Sequence, residues 1–420
     1  MDNPRPRPIV SPMTKIDADI LIVGGGLNGP CLALACAQAG LSSVVLDALP
    51  LETRKDPDFD GRAYALALAS VRMLTALGIW GAVADKAQPM LEIKASDGRA
   101  GEGAAPFFLH FDHAEIEEGP MGQMCEDRFL RRALLDAMGA EPLITHRAEA
   151  RVIAQDTDGV PSVTLEGGEV LHGRLIVGAD GRSSGVAARA GIKRTGWGYE
   201  QTALVCAVGH ERPHNGIAHQ FFMPGGPLAI LPLPGNRSSI VWSEREPRAG
   251  ELAAADDAAF LEALRPAFGD FLGEIALVGQ RFSYRLTLSL TQSLIADKLA
   301  LVGDAAHGVH PIAGQGLNLG LRDVGALAEV LADAKRRGED FAAPDVLARY
   351  QQWRRFDVAS LAAATDGVNR LFSNDNPALR AARDIGMGVI GALPGLRRGF
   401  IRQAAGLTGD LPRLMQGRAL

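Results

Sequence analysis

Three observations predict an α/β fold in which a parallel, nucleotide-type sheet carries an inserted, mostly antiparallel sheet and ends in helices. A β-branched run, a glycine-rich turn and an alanine- and leucine-rich segment follow one another between residues 18 and 40. Short runs broken by glycine and proline fill residues 92–115 and 201–288, and from residue 316 onward apolar residues recur at helical spacing.

The first strand is Ala18-Asp19-Ile20-Leu21-Ile22-Val23, short, β-branched and bounded by glycine, as a strand buried on both faces should be. Pro30 to Ala39 reads as a helix stopped at Gly40, and Ser43 to Leu46 as a second strand closed by Asp47, which completes a βαβ unit. In the second stretch, Leu228-Ala-Ile-Leu-Pro-Leu and Ser239-Ile-Val-Trp-Ser look like antiparallel strands. A helix at Arg128 to Met138 and a strand at Arg174 to Val177 lie between the two β-rich stretches, so the second sheet is inserted into the first fold. Leu319, Val324, Leu327 and Val330 mark one late helix, and Tyr350 to Leu371 another. The expected organisation is a flexible tail over 1–16, a discontinuous nucleotide domain from 17–91, 119–195 and 290–365, a substrate domain from 92–118 and 196–289, and a helical C-terminal region over 366–420.

The chain has 420 residues, 47% of them hydrophobic, enough for a large core. A net charge of −6 shows no basic excess, so no nucleic-acid partner is expected. The cysteines Cys31, Cys36, Cys125 and Cys206 have neither CxxC spacing nor a companion histidine cluster, so neither a metal site nor a disulfide framework is indicated; reduced thiols in a cytoplasmic compartment fit. The proline-rich start lacks the apolar run of a signal peptide, and no window approaches the roughly 20 apolar residues of a membrane span.

Three motifs carry the chemistry. Gly24-Gly25-Gly26-Leu27-Asn28-Gly29 fits G-x-G-x-x-G between strand and helix. Gly24 permits the turn, Gly26 lets amides approach a pyrophosphate, Gly29 allows close packing, and Asp47 stands where an acid would bond a ribose hydroxyl. This fingerprint marks a dinucleotide without separating FAD from NAD. The second motif runs from Leu175 to Ser184 through Asp180-Gly181, either a site or an Asp-Gly turn before a helix capped by Ser183 or Ser184. In the third, Leu299 to Asp323, a strand ends at Asp304, whose carboxylate can accept from a polyol. Gly314-Gln315-Gly316 then opens a long helix whose positive end suits a reduced flavin.

In this order the three motifs resemble the FAD-dependent aromatic hydroxylases of the p-hydroxybenzoate hydroxylase type, over nearly the whole chain. Asp60-Gly-Arg62, Gly196-Trp197-Gly-Tyr199, His214-Asn-Gly216-Ile-Ala218-His-Gln220-Phe221, Gly226-Pro227-Leu-Ala-Ile-Leu-Pro-Leu and Asp304-Ala-Ala-His307-Gly-Val-His310-Pro311 are similar to the ubiquinone-biosynthesis hydroxylases in particular. The resemblance implies a Rossmann-like FAD-binding domain with an inserted, mostly antiparallel β-sheet substrate domain and a helical C-terminal region. It further implies that FAD is reduced by NAD(P)H or another electron donor, that O2 then gives a C4a-hydroperoxyflavin, and that a polyprenyl phenol substrate is hydroxylated. Carried over by position, Gly24, Gly26, Gly29 and Asp47 hold the adenosine and pyrophosphate end, Arg62 and Arg128 approach the cofactor, and Asp180 and Gly181 belong to a shared FAD and nicotinamide motif. Asp304 binds the ribitol, Gly314, Gly316, Leu317 and Asn318 face the isoalloxazine, and Pro311, Gly314, Gln315 and Gly316 border the reaction pocket. Asp127 departs from the family's Asn or Gln and brings a charge that repels phosphate unless Arg128 or Arg131 offsets it; Val186-Ala187 replaces a frequent Val-Arg pair.

His307 and His310 read as backbone-satisfying rather than proton-transferring, since no single base is universal in such chemistry. Phe221, Phe222, Met223 and Trp242 line a channel or belong to a core. Leu396, Phe400, Ile401, Ala404 and Leu407 alternate with Arg397, Arg398 and Arg402 as a basic amphipathic helix. That helix docks on the protein's own body or meets the inner membrane, peripherally, or a quinone-biosynthesis complex. A hydroxylase of a small soluble phenol and a non-catalytic subunit of an assembly are the competing readings.

Overall fold

The computed structural model describes residues 15–99, 103–309, 314–372 and 386–420; the expected N-terminal tail lies almost wholly outside these. Its first sheet has six strands in the order Ile295–Ala296, Leu299–Leu301, Leu175–Gly178, Ile20–Val23, Ser43–Leu46, Ile144–Arg147. All neighbours are parallel except the edge pair Ile295–Ala296 and Leu299–Leu301. The strands Ile20–Val23, Ser43–Leu46 and Leu175–Gly178 are buried along their whole length, which explains why they read as continuous apolar runs without alternation. The helices Asn28–Gln38 and Gln315–Arg336 share one large core with these strands.

The second sheet has eight strands and draws residues from both β-rich stretches of the sequence. Glu92–Arg99 and Gly103–Asp112 join it through Ile217–Met223, the one parallel pairing among otherwise antiparallel ones. Its two longest strands, Arg194–His210 and Ile275–Thr291, have 17 residues each, longer than the short runs expected, because register shifts after Gly198 and Val205 let each continue past irregular points.

The 201–288 stretch is not all strand. Helices Arg248–Ala254 and Asp257–Phe268 interrupt it. Asp256 caps the second by accepting from the Ala259 N–H at 2.8 Å, and Phe260, Leu264, Ala267 and Phe268 form its buried stripe. They cover one face of the sheet in a core with Leu204, Ile230, Ile240 and Trp242. Phe222 instead faces the other side, so the aromatic residues of this region divide between core and cavity.

The late helices include Gln315–Arg336, Pro344–Phe372 and Pro394–Ala404. The last docks on the second sheet's edge: Ile401 is fully buried with Phe111 and Met121, and Arg397 and Arg402 pair with Glu115 and Glu118.

Candidate active site at the cofactor end of one large cavity

The glycine turn is shaped as its sequence requires. Gly24 has φ +123°, and a Cβ there would stand 2.2 Å from the Ala179 carbonyl oxygen; one on Gly29 would stand 2.0 Å from the Gly24 oxygen. Around Gly26 nothing lies within 4 Å of an added Cβ, so its backbone is open to a ligand. No side chain caps the helix beginning at Asn28, and none caps the one beginning at Gln315, whose N-cap Gly314 is left-handed at φ +62°. Both uncapped N-termini line the same cavity, about 1080 Å³ in volume. Two positive helix ends therefore converge on one space.

Asp304, Gly26, Arg62, Gly181, Gly314, Gln315, Gly316, Leu317 and Asn318 all line that cavity. Asp304 accepts from Arg182 Nε at 3.0 Å, and Arg194 donates to the Asp304 and Ala305 carbonyls, fixing the loop from behind. Asn318 works chiefly as a staple: its Oδ1 accepts from Ala67 N–H and Ser70 hydroxyl at 2.9 and 2.8 Å, and its amide donates to Ala65 O at 2.8 Å. It ties the helix start to the Ala63–Ala67 strand.

Other sequence-derived residues stand away from the lining. Asp47 is buried and held by Arg54 at 2.6 and 3.0 Å. Asp180 accepts from Ser184 Oγ at 2.5 Å and Val186 N–H at 3.0 Å, and Ser184 caps the short helix Gly185–Arg189. Its carboxylate thus serves the turn, while Gly181 lines the cavity. Arg128 pairs with buried Glu126 at 2.7 Å and donates to Pro57 O, with its guanidinium over Phe129. Asp127 is offset by an ion pair with Arg131 and by Arg62 at 3.5 Å. Pro311 and His310 lie outside the described residues.

His307 is buried, and its Nε2 lies 2.5 Å from Asp323 Oδ2. Asp323 also accepts from Gly303 N–H at 3.0 Å and from Arg354 Nε at 2.7 Å. Burial works to raise the Asp323 carboxyl, and His307 and Arg354 outweigh it, holding it below 3.8. The histidine is bound into a buried charge network beneath the Asp304 loop, in keeping with a positioning role.

Asn28 and Arg182 were present in the motifs but not singled out by them. The Asn28 amide sits against Gly303 and Gly320, where an added Cβ would stand 2.1 and 2.6 Å from its Nδ2. Its buried Oδ1 has no hydrogen-bond partner among the described residues. A buried acceptor without a donor beside two uncapped helix starts fits a large, hydrogen-bonding, anionic cofactor.

The sequence profile of a family described as FAD binding domain matches residues 17–365. The chain is 48% identical to "Ubiquinone hydroxylase UbiL" of Rhodospirillum rubrum, over 98% of this chain and 95% of that one. It is 36% identical to "3-demethoxyubiquinol 3-hydroxylase" of Escherichia coli, over 94% and 100%. The chain belongs to the FAD-dependent ubiquinone-biosynthesis hydroxylases. Among solved structures, p-nitrophenol 4-monooxygenase PnpA from Pseudomonas putida DLL-E4 shares the fold at TM-score 0.77 and 20% identity, covering 94% of this chain and 99% of its own. The hydroxylase is thus an aromatic-ring monooxygenase of the class its three motifs resemble, and FAD is its cofactor.

Beyond the cofactor end, the hydroxylase's cavity runs on between the second sheet and the C-terminal helices, lined by Met90, Leu109, Phe111, Val309, Met387 and Phe400. Tyr64 and Tyr284 also line the cavity, and burial raises the pKa of both phenols, keeping them protonated.

Proposed function

We propose that this hydroxylase inserts one oxygen atom from O2 into the ring of a polyprenylated phenol on the route to ubiquinone, with NAD(P)H or another donor as reductant. The observation that carries the reading is the continuous cavity. Its volume of about 1080 Å³ is shared with the cofactor, and beyond the cofactor end its walls are almost entirely apolar. An isoprenoid tail matches such walls, whereas a small charged phenol would leave them wet.

FAD, when bound, supplies electron transfer and the activation of O2. The chain supplies the rest. Gly26 and the amides opening the Asn28–Gln38 helix suit the pyrophosphate, Asp304 the ribitol, and Gly314 to Leu317 the ring system with the positive end of a 22-residue helix. The apolar compartment excludes water from the reacting ring, and Arg62, held at 2.5 Å by Asp60, lines the same cavity. The reading of Asp47, Gly24 and Gly29 as the adenosine end, and of Pro311 as a border of the pocket, belongs to this proposal.

A peripheral approach to the inner membrane is part of it. No helix among the described residues is long and apolar enough to cross a membrane. Val389, Leu393, Leu396 and Phe400 are about half exposed, and Phe400 also lines the cavity, so the apolar compartment continues onto an apolar surface. The test is turnover by the FAD-loaded protein: 2-geranylphenol should be hydroxylated with donor and O2 consumption. Turnover of 4-hydroxybenzoate without turnover of any prenylated phenol would overturn the substrate reading, and no donor or O2 consumption with either would favour a non-catalytic subunit.

A further inference from the structure

The register of the second sheet puts one row of side chains across the cavity floor. Gln220 pairs with Ala95 on one side and Ala229 on the other; Ala95 pairs with Leu109, Ala229 with Val241, and Val241 with Val205. All six line the cavity. Strand alternation turns the rings of their neighbours His219 and Phe221 towards Phe271 on the opposite face, although His219 also borders the cavity. In that row Gln220 is the one polar side chain, set between two alanines that leave room above the sheet. Gln220 is half-buried and opens onto the cavity, and no side-chain hydrogen bond joins it to another described residue.

A ligand that displaces water from this floor must offer the amide a partner or leave it unsatisfied at a cost. Charge is absent from this floor. The charged side chains lining the cavity are Arg62, Arg182 and Asp304, and each is already in an ion pair. The compartment therefore suits a neutral ring, and an amide, which donates and accepts at once, suits a ring hydroxyl that does the same. Resting on the substrate reading above, we propose that Gln220 is a specificity-determining residue that hydrogen-bonds a ring oxygen of the phenolic substrate and fixes which ring edge faces the cofactor.

The test compares two probes that differ by one hydroxyl, 2-geranylphenol and geranylbenzene, bound to the FAD-loaded protein and followed by the change in flavin absorbance. The wild type should bind the phenol about tenfold tighter, the scale of one neutral hydrogen bond in a water-poor site. Gln220→Leu should lose that discrimination while binding geranylbenzene as well as the wild type does, which also shows that the cavity is intact. Gln220→Met, of similar length, should behave like Gln220→Leu, and both should raise KM for the phenol more than they lower kcat. A wild type that discriminates and a Gln220→Leu variant that discriminates equally would overturn this inference alone. A wild type that binds neither probe would overturn the substrate reading and this inference with it.

Discussion

Arg354→Ala tests whether the loop bearing Asp304 depends on buried charge. Arg354 is fully buried, donating from Nε to Asp323 at 2.7 Å and from a terminal nitrogen to Asp357 at 2.6 Å. Asp323, equally buried, holds Gly303 N–H and His307 from its other oxygen. Truncation leaves the Asp323 carboxylate with the Gly303 N–H and the His307 ring as its remaining partners, and removing one member of a buried pair costs about 3–5 kcal/mol. At about 2 °C per kcal/mol, suited to a large chain, the melting temperature should fall by about 6–10 °C. Thermal unfolding followed by circular dichroism at neutral pH measures this, with Arg354→Lys as the control. Lysine keeps the charge but not the fork that spans two carboxylates, so it should fall between the two. The pH dependence has a fixed sign. Because Asp323 is held below its ordinary 3.8, its contribution is present above that value and is lost as pH falls through the lower folded-state value. The gap between wild type and variant should therefore persist at neutral pH and narrow below pH 3.8. A variant melting within about 2 °C of wild type at neutral pH would refute the network's role.

Asp304→Ala should lower FAD occupancy with little change in the melting temperature of the apoprotein, because the Arg182 pair it breaks is about 40% exposed on each side and exposed pairs contribute little; absorbance after gel filtration reads the occupancy. Gly314→Ala should weaken FAD binding and destabilise the fold by about 1 kcal/mol, since φ is +62° and the new Cβ would press on Ala65 Cβ at 3.1 Å; fluorescence titration and urea unfolding separate the two effects. The four thiols are all buried, and burial pushes each up to about 12. Native protein should therefore resist a thiol reagent at pH 8, and denatured protein should react at every cysteine; fast labelling of the native state would contradict the burial.

Much of the parallel sheet could be read directly because its code is local. A strand buried on both faces needs an uninterrupted apolar run, a turn at φ +123° needs glycine, and residues 18–46 satisfy both without help from elsewhere. The second sheet was less legible. Its long strands owe their length to pairing with distant partners across irregular registers, which no window of sequence contains. Helices Arg248–Ala254 and Asp257–Phe268 were missed although Asp256 and the Phe260, Leu264, Phe268 stripe were visible, because the strands on either side set the expectation for the whole stretch.

The site divides along the same line. Residues that act through their backbone, such as Gly26, Gly314 and Gly316, could be placed from motif spacing, since the motif is a statement about backbone. Charged residues divide: Arg62 and Asp304 line the cavity as their motifs imply, whereas the local partners of other carboxylates could not be read from motif spacing. Asp180 accepts from Ser184 and Val186, and Asp47 from Arg54, seven residues on. Asp127 looked repulsive to phosphate only while Arg131, one helical turn away, was left unpaired with it. With Arg62 also 3.5 Å away, two guanidiniums face that one carboxylate. The departure from Asn or Gln at residue 127 is thus compatible with an anionic cofactor, because cations that pair with Asp127 offset the charge it introduces.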